Sequence, residues 1–129
     1  MLTREEIIRQ FWQSLDQGDF CGAGQYLDPR CTVLWANTQE LFRTRDSFIA
    51  ANAYYPGRWR IDLEKIVTNA DSILTVVKVS EGESGETHRA VSFFEFIGDK
   101  IIRITEYWGE VSEPPAWRIE GGWAERIRE

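Results

Sequence analysis

Cysteine, histidine and methionine are scarce in this 129-residue chain, which has two, one and one of them. Two cysteines cannot build the dense disulfide framework of a small secreted fold. Cys21 in a predicted helix and Cys31 at a predicted strand start read instead as small buried thiols of a reducing compartment. A single histidine, with no acids clustered at ligand spacing, cannot make a typical three- or four-ligand metal site, so neither metal nor cofactor is expected. Long apolar runs are also missing. No stretch approaches the ~20 residues of a membrane span, and Met-Leu-Thr-Arg-Glu-Glu at the start lacks the basic patch and apolar stretch of a leader. The expected location is cytoplasmic, with no membrane partner. Positive charge is in deficit as well: 15 Lys and Arg against 21 Asp and Glu give a net charge of −6. That balance excludes the concentrated positive face of a nucleic-acid binder. Arg58 and Arg60 flank Trp59, but Asp62 and Glu64 partly cancel their field. No serine sits on a recognisable nucleophile turn, which removes Ser-His-Asp chemistry.

Aromatic side chains are what the chain has in quantity, with six Trp, seven Phe and four Tyr. Large flat side chains suit both packing and the lining of a concave apolar site. The length fits one domain, able to bury roughly two-thirds of its unfolded surface. Thr3 and Glu6 form a capping box, and Ile7, Ile8, Phe11, Trp12 and Leu15 recur at helical spacing until Gln17-Gly18. Asp19 caps a second short helix predicted through about Leu27, broken by Asp28-Pro29. A strand follows from Cys31, with Cys31, Val33, Trp35 and Asn37 on one face. Thr44 opens a third helix carrying Phe48, Ile49 and Tyr55, ended by Pro56-Gly57. The period then becomes two: strands are predicted from Trp59, over 73–79, over 90–97 and over 101–111, with turns at 69–71, 81–86 and Gly98-Asp99. Helices first and an antiparallel meander afterwards predict an α+β domain with helices on one face of a curved sheet. A domain over 1–112 is expected, and a tail over 113–129, with Pro114, Pro115, Trp117 and Trp123, is either a flap or a frayed terminus.

Within the last predicted strand, Glu106 shares an alternating face with Ile102, Ile104 and Trp108. A carboxyl among inward-facing apolar side chains is costly without a partner or a role, which makes it the leading candidate for a general acid or base. The alternative is a carboxylate on a polar rim or paired with an arginine. Asn37 can orient a water or a carbonyl, or tie a strand end. Trp35, Tyr54, Tyr55, Trp59 and Trp108 can clamp a flat ligand or be plain core. His88, the only histidine, is the best proton carrier near neutrality, or simply a hydrogen-bonded wall residue.

The motifs Leu-Asp-Gln-Gly-Asp (15–19), Cys-Thr-Val-Leu-Trp-Ala-Asn (31–37), Arg-Thr-Arg-Asp-Ser-Phe-Ile (43–49), Phe-Phe-Glu-Phe-Ile-Gly-Asp-Lys-Ile (93–101) and Ile-Thr-Glu-Tyr-Trp (104–108) come in a distinctive order. Over residues 3–111 the chain resembles the nuclear transport factor 2-like superfamily, and within it the SnoaL-like group named for a polyketide cyclase. Pro-Pro-Ala-Trp-Arg (114–118) is similar to tails of bacterial SnoaL-like proteins of unassigned function. The resemblance implies a conical half-barrel, three N-terminal helices against a mainly antiparallel sheet. It also implies a deep pocket for a small apolar or aromatic ligand and, often, a homodimer formed through the sheet. It directs His88, Ala90, Ser92, Phe94 and Phe96 into the pocket, but it implies no single activity. Trp35 and Phe11 fall where ketosteroid isomerases carry an aspartate base and a tyrosine. Trp35, Asn37 and Glu106 match the tyrosine, asparagine and acid of limonene epoxide hydrolase, whose arginine and aspartate align with Val77 and Val79.

The site therefore depends on register. A plain two-residue turn at Gly98-Asp99 would set Glu106 opposite Val91, away from the His88 face; a β-bulge or three-residue turn would restore the match. The expectation is a shared pocket holding Glu106, His88 and Asn37, with Lys78 and Arg89 on the outer, dimer-forming face.

Overall fold

Thr3 accepts a hydrogen bond from the Glu6 amide at 3.1 Å while the Glu6 carboxylate reaches back to the Thr3 amide. With its cap satisfied in this way, α1 runs Arg4–Asp16 and buries Ile7, Ile8, Phe11, Trp12 and Leu15 along one face. The structure is a computed structural model and describes residues 1–127.

The second helix, α2, is shorter than predicted, spanning Phe20–Gly24. Asp19 caps it by accepting from the Gly22 amide at 2.9 Å, and its carboxylate lies where a Cβ on residue 22 would sit. Two glycines in five residues give little helical drive, so the chain leaves the helix early and Leu27 enters a strand. Strand β1 covers Leu27–Trp35, so Asp28-Pro29 lies inside a strand that is irregular between Leu27 and Thr32. A three-residue strand that the sequence did not reveal, β2 (Glu40–Phe42), turns back along β1. Thr44 caps α3, Arg45–Tyr54. The meander β3 (Trp59–Thr68), β4 (Ser72–Glu81), β5 (Thr87–Ile97) and β6 (Lys100–Glu110) follows. A short α4, Ala116–Glu120, lies in the tail.

The six strands form one curved, unclosed sheet in the order β2-β1-β6-β5-β4-β3, antiparallel except for β1 beside β6. Helices α1 to α3 cover its inner face. Phe11 and Trp12 of α1 meet Phe94 of β5 edge to face, and Asp16 at the end of α1 accepts from the Ile61 amide at 2.7 Å. Cys31, Val33, Val77, Ala90, Phe94, Ile101 and Ile104 complete the core.

The β5–β6 hairpin settles the register. Ile97 pairs with Lys100 across a two-residue turn with Gly98 at φ 60°. A bulge then follows, because Phe96 faces Ile101 while Glu95 faces Arg103, leaving Ile102 without an opposite number. Beyond it Ser92 opposes Glu106, Ala90 opposes Trp108 and His88 opposes Glu110. The inward face is thus Ile101, Ile104, Glu106 and Trp108. Ile102, expected on that face, is the bulged residue.

One further expectation changes. Cys31 is buried, and burial pushes its thiol up to about 12, but Cys21 on α2 is exposed. In the tail, Trp117 and Trp123 are 61% and 77% exposed and contact one another, and Arg126 pairs with Glu113. Residues 128 and 129 of that predicted tail lie outside the described residues.

Candidate functional site

The pairing register draws one row across the inner face. Ile66 of β3 faces Thr75 of β4, Thr75 faces Ser92 of β5, Ser92 faces Glu106 of β6, and Glu106 faces Trp35 of β1. Three consecutive members of this row are polar and buried, with Thr75 and Ser92 fully inaccessible and Glu106 3% exposed. Each has a partner. The Ser92 hydroxyl donates to Glu106 Oε2 at 2.6 Å, and the Trp35 indole N–H donates to Glu106 Oε1 at 2.8 Å. At the other end of the row, the Trp12 indole N–H of α1 donates to Thr75 Oγ1 at 3.2 Å. Among the described residues no buried side-chain polar atom is left without a partner.

Removal from water raises the proton affinity of Glu106 above the ordinary carboxylate value, and the hydrogen bonds from Ser92 and Trp35 offset this in part. Both donors are neutral, so desolvation is not answered by a full positive charge. The result is a carboxyl in an aromatic surround: Trp35 packs edge to face on Phe42, Phe48 and Trp108, at 4.7, 6.1 and 6.1 Å between ring centres. A group in this setting holds its proton to higher pH than an exposed carboxyl does and can exchange it with a ligand.

The other predicted site residues fall into separate places. His88 shares the inward face, but it sits four residues from Ser92 on β5, about 13 Å of strand away. Its Nε2 lies 2.6 Å from Glu86 Oε2, and its ring lies between Trp59 and Trp108 at about 6 Å from each. Asn37 is exposed and spends both ends of its amide on one backbone: Nδ2 donates to the Trp108 carbonyl at 2.9 Å, and Oδ1 accepts from the Trp108 amide at 2.7 Å. It acts as an added rung of the β1–β6 ladder.

Five of the six residues expected to hold a ligand divide into two groups joined by Trp108. Trp35 and Trp108 flank Glu106, with Ala90 fully buried opposite Trp108. Tyr55 and Trp59 meet at 5.4 Å beside His88, and the Trp59 indole donates to the Pro56 carbonyl at 2.9 Å. Tyr54 belongs to neither group and is 90% exposed. Six residues beyond Phe48, at about 100° per residue, it points well away from the buried face of α3.

The deep pocket expected between sheet and helices is occupied around Glu106 by the aromatic side chains themselves. Two surface concavities lie elsewhere. One, of about 430 Å³, is lined by Arg4, Asn69 and Phe96 among others, and one of about 280 Å³ by Tyr55, Trp59 and Glu86 among others; Glu106 lines neither. Among the described residues no group of three or more His, Cys, Asp or Glu side chains is placed to hold a metal ion, and no helix is long and apolar enough to cross a membrane.

Sequence reasoning missed Thr75 and Ser92 as members of the polar row, and Trp12 as the donor to Thr75. Ser92 was legible as an inward position, because it alternates with Ala90 and Phe94. Thr75 was hidden in a β-branched run where threonine reads as a strand former.

The overall likeness extends to solved structures. A candidate ketosteroid isomerase from Kribbella flavida is 23% identical, with a TM-score of 0.81 over 95% of this chain and 88% of that one. A nuclear transport factor 2-like protein of unknown function from Burkholderia xenovorans is 22% identical, with a TM-score of 0.80 over 97% and 95%. A limonene epoxide hydrolase-like enzyme from M. tuberculosis is 15% identical, with a TM-score of 0.69 over 80% of each chain. At these identities the likeness is one of fold. No curated protein matches the sequence. The family profile described as SnoaL-like domain, however, matches residues 8–104, three-quarters of the chain, and the chain belongs to the SnoaL-like domain family.

Proposed function

We propose that the inner face around Glu106 is a site for a small cyclic or aromatic metabolite, and that the protein is a cofactor-independent enzyme of the isomerase, cyclase or hydrolase type. The observation that carries this reading is Glu106 itself: a buried carboxyl with raised proton affinity, held by two neutral donors, one of them Trp35 at the hub of an aromatic cluster. As the carboxylate it takes a proton from the ligand, and in its neutral form it returns one. Ser92 holds Oε2 in place during both steps. Ketosteroid isomerisation and epoxide hydrolysis, named for two of the structural neighbours, both turn on moving protons.

A second reading, non-catalytic binding at the same site, is favoured by one specific arrangement. His88 is engaged with Glu86 and Asn37 with Trp108, so among the described residues no second titratable group is seen to converge on Glu106. We also propose a homodimer through the outer face. Leu41, Leu34, Thr105, Phe93, Leu74 and Val67 form a single row across all six strands on the side away from the helices. In this reading Lys78 and Arg89, cross-strand partners four residues along β4 and β5 from that row, belong to the charged rim, where Arg89 pairs with Glu64 at 2.8 Å.

The test is a panel of small cyclic ketones, lactones and epoxides offered to wild type, Glu106→Gln and Glu106→Asp. The enzyme reading predicts turnover that falls about 10²- to 10⁴-fold in Glu106→Gln while the fold is kept. Turnover unchanged in that variant would refute it. A ligand bound by the wild type and recovered unaltered would establish the binding reading.

A further inference from the structure

Glu106 has no free face. Oε1 is taken by the Trp35 indole N–H and Oε2 by the Ser92 hydroxyl, and the side chain is shut off from solvent. If Glu106 is the functional group, a ligand can reach it only by taking the place of one of these donors. Ser92 is fully buried on β5 between β4 and β6, and moving so small a side chain opens no path. Trp35 differs in each respect. It is half-buried, it lies at the end of β1, and beyond it the sheet holds only the three-residue edge strand β2. The turn joining β1 to β2 carries Gln39 at φ 58°, a left-handed conformation unfavourable for a residue with a Cβ, so this hairpin is held less comfortably than the rest of the sheet.

We propose that the Trp35 indole is a built-in occupant of the ligand site, and that the ligand displacing it is a planar aromatic or heteroaromatic molecule with an N–H or O–H donor. The proposal rests on the reading of Glu106 given above and adds to it the shape and polarity of the ligand. When the indole rotates out, it leaves an indole-sized space bordered by Phe42, Phe48 and Trp108, with Oε1 at the position the indole N–H vacates. A space shaped by one flat ring among aromatic side chains favours another flat ring. A buried acceptor that has lost its donor penalises any ligand unable to replace it, so the ligand restores the bond that Trp35 gives up. Trp35 is then a specificity-determining residue: it closes the site to water when empty and sets the kind of molecule able to open it.

The experiment uses the full chain with ¹⁵N-labelled indoles, the Trp35 signal being assigned by its loss in Trp35→Phe. Indole and 1-methylindole, which has the same outline but no N–H, are titrated in turn. The expected result is that indole moves the Trp35 Nε1–H signal to a solvent-exposed position, and that 1-methylindole binds about tenfold more weakly, the factor expected for an unsatisfied buried acceptor. Indole binding that leaves the Trp35 signal unmoved, or equal affinity for the two probes, overturns the proposal and leaves Glu106 as the functional group. Trp35→Gly serves as a second arm. If it takes up indole in preference to 1-methylindole while wild type takes up neither, Trp35 is a fixed wall and the proposal fails alone. If neither protein binds either probe, the proposal and the Glu106 site fail together.

Discussion

Glu106 and the two cysteines show how burial alone changes what a side chain can do. Glu106 takes up its proton more readily in the fold than its ordinary value of 4.5, chiefly through desolvation. A carboxyl raised in this way gives stability that is fully present below the unfolded value and is lost as pH rises through the folded value. Glu106→Gln keeps a carbonyl for the Trp35 donor and has no charge to bury. Its stability relative to wild type is therefore expected to increase as pH rises above the ordinary carboxylate value of 4.5, as read by urea denaturation at each pH. A relative stability independent of pH would mean that Glu106 ionises as it does in the unfolded chain. The thiols make a parallel case. Cys31 is buried with its proton affinity pushed up to about 12, whereas Cys21 is exposed on α2. A thiol reagent at about pH 8 is expected to modify one thiol per native chain, and both after denaturation. Rapid modification of both in the native state would contradict the packing around Cys31.

Elements decide which of these side chains meet, and the β5–β6 hairpin decides most. Alternation alone reads Glu106 as inward, but it cannot say whether that face is shared with Ser92 and His88, because one extra residue reverses the relation between two strands. The bulge at Ile102 supplies that residue. Deleting Ile102 is expected to turn either Ile104, Glu106 and Trp108 or their partners on β5 to the wrong side. Loss of the cooperative urea transition would show this, and a deletion variant of near-native stability would contradict the assigned register. Capping residues made α1 and α3 legible, since Thr3, Glu6 and Thr44 act through contacts within one turn. The early end of α2 was less so, because Asp28-Pro29 reads as a helix stop whether the chain beyond Gly24 is helix or strand. Of the site, Glu106 and its aromatic setting could be read from alternation. The partners of Asn37 and His88 could not, since those side chains are held by Trp108, across the β1–β6 pairing, and by a turn carboxylate, Glu86.

As a whole, the molecule spends its two sheet faces differently. The inner face carries the core and the polar row from Thr75 to Trp35, while the outer face leaves Phe93 and Tyr107 39% and 49% exposed and in edge-to-face contact. A broad apolar row without cover marks an association surface. In the homodimer reading, sedimentation at micromolar concentration is expected to show a dimer, and Phe93→Lys to give a folded monomer; a wild type that stays monomeric would contradict it. Pairing through this face would leave the helical layer and the approach through Trp35 open to a ligand.

The central claim is that Glu106 is an enclosed carboxyl whose burial raises its proton affinity above the ordinary carboxylate value. Titrating its side-chain carboxyl carbon by ¹³C NMR in the folded chain, assigned with Glu106→Gln, tests this most directly. The account predicts a midpoint displaced upward from 4.5. A midpoint at or below 4.5 would show that Ser92 and Trp35 hold the carboxylate in its charged form, and would contradict the role assigned to it.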